Sequence, residues 1–271
     1  MSTLLPEDYQ EPQCPLCLDP GGRTIPQRRV QEKLDQYMSR RDYEGGERHL
    51  LYWLEEARAC RDQRGELLVR NEMIGFYRKR GEKEKALTNA GEAVALLNSL
   101  GLGDSITAGT TWVNAATAHH AFGEPEEALA LFSKAKAIYE SSPQTGADLL
   151  GGLYNNMALA CVDLGRFQEA QELYDKAMAE MGKVPGGELE QAITCLNRAN
   201  AVEAQEGLEA GESKIYALLD QAQELLENSK APRNGYFAFV CEKCAPVFSY
   251  YGYFQAANAL QKLAEDIYAG T

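Results

Sequence analysis

Asn114, Asn156 and Asn197 recur at steps of 42 and 41 residues. An asparagine amide offers one acceptor and two donors, so a row of them can bond both the C=O and the N–H of an extended peptide, whatever its side chains are. Asparagine is also a poor helix former, so its repetition within helical sequence needs a reason. Asn71, Asn155 and Asn200 stand at neighbouring positions, so six of the chain's eleven asparagines fall on one face of the expected helices. The same amides could instead bond one another, or backbone carbonyls, between adjacent helices.

Two other groups invite a chemical reading. Cys14-Pro-Leu-Cys17 and Cys241-Glu-Lys-Cys244 share a spacing that could supply a four-thiolate zinc site. Cys241 and Cys244, however, fall at core positions of a helix, where cysteine behaves as a small hydrophobe, so no metal is expected. Of the three histidines, His119 falls at a packed position, and His120 is expected with Thr117 on the same binding face as the asparagines. No nucleophile with its base, acid pair or glycine-rich phosphate loop accompanies them. The expectation is a protein without catalytic activity and without a cofactor.

The elements that position the asparagines are written twice. Trp112, Asn114, Ala116, Gly123, Ala128, Phe132, Ala135 and Pro143 return 42 residues later as Tyr154, Asn156, Ala158, Gly165, Ala170, Tyr174, Ala177 and Pro185. A fixed offset with chemically matched residues marks a repeat array. Each copy reads as two helices. Large and small residues four apart share one face, and glycine closes the first helix. In the first copy Glu124-Pro125 then opens the second helix, with proline where its missing N–H is harmless.

The order small residue, aromatic, Gly, Ala, aromatic, Ala resembles the tetratricopeptide repeat. Ala116, Gly123, Ala128, Phe132 and Ala135 carry it in one copy, and Ala158, Gly165, Ala170, Tyr174 and Ala177 in the next. The repeat is longer than the usual 34 residues, and is similar to the long repeats of kinesin light chains and bacterial peptide-sensing regulators. The resemblance implies an all-α, right-handed α-solenoid of about six helix pairs, with first helices lining a concave groove. It also implies that Asn114, Asn156 and Asn197 hold the backbone of a bound peptide. Thr110 and Gly152 stand where chaperone-binding members need lysine, so their terminal-carboxylate clamp is not expected.

Taken in order, residues 1–24 hold four prolines and read as an extended tail, and 25–271 as the repeat domain. Worn pairs begin with Val30, Leu34 and Tyr37, followed by Leu50, Trp53 and Ala57. A pair from Leu189 to Asn228 has a turn, Glu206 to Glu212, enlarged by about four residues over the repeat pattern. Pro246 falls inside a helix and should kink it.

The composition, 45% hydrophobic and 25% charged with a net charge of −13, suits a folded chain and argues against nucleic acid or anionic membrane partners. Seven scattered cysteines, with no secretion signal or membrane span, place it in the cytoplasm. The groove is expected to add apolar contacts from Val113, Leu159 and Leu196. Its charges are Arg78 and Lys79 early, Asp163 and Glu203 later and Lys243 towards the end, which suits an elongated ligand with basic residues near Asp163 and Glu203 and an acidic one near Arg78 and Lys79. The reading is a peptide-binding scaffold or adaptor. The alternatives are a self-associating homo-oligomer whose groove holds its own tail, and a peptide-responsive regulator acting on another protein.

Overall fold

The computed structural model describes residues 24–270, and Cys14, Cys17 and most of the expected tail lie outside them. The described residues form twelve α-helices and no strand, in two compact units. The first unit, ending at Glu124, holds α1 (Gln27–Ser39), α2 (Tyr43–Ala59), α3 (Gln63–Lys79), α4 (Lys83–Ser99) and α5 (Ile106–Ala121). The second, from Pro125, holds α6 (Pro125–Ser141), α7 (Ala147–Asp163), α8 (Phe167–Met181), α9 (Glu188–Glu206), α10 (Leu208–Glu227), α11 (Gly235–Tyr250) and α12 (Phe254–Ala269). This is the all-α helical-repeat solenoid that the spacing predicts.

Small residues let successive helices approach, and aromatic residues fill the grooves between them. In the first unit Ala86, Ala90 and Ala93 of α4 are buried with Trp53, Ile74 and Phe76. In the second, Ala158 of α7 and Ala170, Tyr174 and Ala177 of α8 are buried, as are Ala128, Phe132 and Ala135 of α6. The expected glycine turns hold: Gly123 and Gly165 have φ of 78° and 70°. A Cβ at Gly165 would meet nothing within 4 Å, so the requirement there is conformational rather than steric. Arg41 and Arg61 take the same left-handed conformation at the equivalent turns after α1 and α2, with φ of 56° and 59°.

Two expectations are corrected. No enlarged turn separates α9 from α10, because Gly207 alone, at φ 81°, makes the connection. The surplus residues prolong the helices instead, to 19 in α9 and 20 in α10. Leu196 does not line a groove: at 2% exposure it belongs to the core that α9, α10 and α11 share. Pro246 lies inside α11 on its exposed side, and the helix runs through it from Gly235 to Tyr250. Among the described residues no helix is long and apolar enough to cross a membrane.

Candidate functional site

In the first unit the asparagines join helices. Asn71 on α3 donates its amide to Leu67 O at 2.9 Å and to Thr111 Oγ1 of α5 at 3.1 Å, while its Oδ1 accepts from Asn114 Nδ2 at 2.9 Å. One acceptor and both donors of Asn71 are therefore used within the protein. Beside this seam opens a pocket of about 340 Å³, lined by Gln31, Leu68, Asn71, Glu72, Thr110 and Asn114. Gln31 donates to Glu72 at 2.7 Å, yet burial still raises the Glu72 carboxyl above its ordinary range, and Asp35 rises for the same reason.

The other expected residues of this unit are scattered. Arg78 lies in the last turn of α3 with its Nε buried and unbonded among the described residues, and burial lowers its pKa. Lys79 is exposed beside it, in the field of Asp35 and Glu72. Thr117 donates back to Asn114 O at 2.9 Å, while Val113 and His120 are half-buried and outside the pocket.

The second unit repeats the seam one residue out of the expected register. Asn155, buried on α7, accepts from Asn197 Nδ2 of α9 at 3.1 Å, and the Thr194 hydroxyl lies 3.2 Å from the same oxygen. Asn156 makes no hydrogen bond among the described residues. It is half-buried and lines an open cleft of about 500 Å³ with Asp148, Gly152, Glu190, Tyr236 and Lys243. The adjacent amides thus divide the work: one fastens α7 to α9, and the other faces open space.

Further along, Asn200 and Glu203 of α9 turn to α11. The Tyr251 hydroxyl lies 2.7 Å from Glu203 Oε2 and 3.0 Å from Asn200 Oδ1, and Tyr250 donates to Glu203 Oε1 at 2.7 Å. Tyr251 has one proton for two acceptors, so it serves the carboxylate, and the Asn200 amide completes its own bond by presenting its nitrogen. Tyr236 likewise donates to Glu190, whose carboxyl is raised by burial and held down in part by Lys243. Asp163 is exposed at the end of α7, and Leu159 is half-buried outside the cleft.

Glu190, Tyr236, Tyr250 and Tyr251 are absent from the sequence-based set. Their signal was the spacing of Tyr236, Phe239, Lys243 and Tyr250, which places three aromatic residues and a lysine along one exposed helical face. Cys241 and Cys244 are buried in the core, and burial pushes their thiols up to about 11 and about 12. They are protonated near neutral pH, whereas a metal requires the thiolate. Among the described residues no group of three or more histidine, cysteine, aspartate or glutamate side chains could hold an ion.

Residues 66–141 match the family model of the tetratricopeptide repeat. No curated relative matches the sequence. Among solved structures, BtubC (BKLC) from P. vanneervenii is similar at 18% identity and a TM-score of 0.63, over 76% of this chain and 82% of that one. A Rap protein complexed with Competence and Sporulation Factor is similar at 14% identity and a TM-score of 0.55, over 89% of this chain and 63% of that one.

Proposed function

We propose that this chain, built of tetratricopeptide-like repeats, is an interaction scaffold that holds an extended peptide segment against α7, α9 and α11. The observation that carries the reading is Asn156. An amide with two donors and one acceptor unused lines a cleft of ligand size, between neighbours whose own amides are spent on the seams. Such a group bonds a backbone N–H and C=O together without selecting side chains. Fold-level likeness to a Rap protein crystallised with Competence and Sporulation Factor supports a ligand-holding role by analogy alone.

Affinity selection of a random dodecapeptide pool tests the reading. The wild-type chain should retain a subset of peptides, and Asn156→Ala should bind recovered peptides about 5- to 10-fold more weakly, the worth of one or two hydrogen bonds. Equal retention by the variant, or none by the wild type, would overturn it. Alanine at Asn114 or Asn197 is less informative, since each also donates across a helix seam.

A further inference from the structure

The last first-helix of the second unit carries an exposed face that its own packing does not explain. Tyr250 is 67% exposed, the most exposed large apolar side chain among the described residues, and Tyr236 and Phe239 of the same helix are 48% and 39% exposed. Isolated exposed aromatics are ordinary, but several on one helical face mark a contact surface.

The chemistry of this face is set by Glu203. Its two oxygens are fixed by the Tyr250 and Tyr251 hydroxyls, both at 2.7 Å, and the two rings meet edge to face with centroids 4.9 Å apart. Phenol donors orient the carboxylate without neutralising it, and no lysine or arginine pairs with it among the described residues. A carboxylate accepts about four hydrogen bonds, so lone pairs remain. A fixed negative charge flanked by ring faces attracts a cation both by charge and by the ring quadrupole. The surroundings agree in sign: α7, α9 and α11 together carry seven carboxylates against two basic residues, Arg198 and Lys243. Arg198 is engaged with Asp175 at 3.2 Å.

We propose that Glu203, Tyr250 and Tyr251 form a seat for a cationic side chain of the bound peptide, with arginine preferred over lysine. A guanidinium is planar, so it can stack on the Tyr250 ring while its fork meets the carboxylate, whereas an ammonium offers only a point charge. The inference rests on the groove reading above and adds the class of ligand. It fits a basic peptide and disfavours an acidic one.

The dodecapeptide pool tests the seat separately from the groove. Peptides recovered on the wild type should be enriched in arginine at one position, and the enrichment should vanish on Glu203→Gln and on Tyr250→Ala. One recovered peptide, resynthesised with citrulline for that arginine, should bind the wild type about tenfold more weakly and Glu203→Gln no differently. Tyr250 is exposed, so its alanine variant should melt with the wild type. Recovered peptides that depend on Asn156 but show no basic preference, or keep it on Glu203→Gln, would sink the seat and leave the groove reading standing. Failure to recover any peptide would sink both.

Discussion

Arg70→Ala is expected to lower the stability of the first unit by about 3–5 kcal/mol, the range for removing one partner of a buried charge network. Arg70 is 3% exposed inside α3 and α4. Its guanidinium donates to Glu66 Oε1 through Nε at 3.0 Å and Nη2 at 2.6 Å, to Asn89 Oδ1 at 3.1 Å, and to Glu92. Glu92 is half-exposed and can turn to water when the arginine is gone. Glu66, with a side chain only 15% exposed, and Asn89, 7% exposed, cannot. Most of the expected loss therefore comes from those two stranded groups, with Arg58, 3.2 Å from Glu66, recovering part of it. Arg70→Met refills the space of the stem but not the charge, so urea titration of both variants separates packing from pairing. A methionine variant as stable as the wild type would show that the network contributes nothing net.

Asn155 and Asn156 are expected to respond oppositely to alanine. Asn155→Ala strands Asn197 Nδ2 at the seam, while the Thr194 hydroxyl keeps its shorter bond to Glu190 O at 2.8 Å, and the loss should cost about 1–3 kcal/mol. Asn156→Ala strands nothing, and alanine is the better helix former by about 0.5 kcal/mol, so this variant should melt at or slightly above the wild-type temperature. Thermal denaturation of the two variants decides the point. If Asn156→Ala is the less stable one, that amide has a structural partner and the division between the two is wrong.

Much of the fold could be read from the chain because the repeat states it twice. Glycines with positive φ, Pro125 at a helix start, and the buried Ala–aromatic stripes of α6 to α8 each follow from local chemistry. The site was read less well, for a geometric reason. Neighbouring helical residues point about 100° apart, so a step of 41, 42 or 43 residues leaves each groove position uncertain by one. The expected steps of 42 and 41 would set Asn114 opposite position 72 and Asn197 opposite Asn156, whereas Asn114 meets Asn71 and Asn197 meets Asn155, each one residue off. The same uncertainty put Leu196 in the groove when its neighbour Asn197 holds that side. Tyr250 and Tyr251 reach Glu203 from 47 and 48 residues away, outside any repeat step, so no periodicity could have joined them.

The most direct test of the groove is a nuclear magnetic resonance titration with one peptide recovered from the pool, following side-chain amides and backbone N–H groups together. The account predicts that the Asn156 side-chain amide moves furthest among the asparagines, that Asn155 and Asn197 move little, and that backbone shifts concentrate in α7, α9 and α11. Shifts confined to α8, α10 and α12, with Asn156 unmoved, would contradict it and place the contact on the second helices of the repeats.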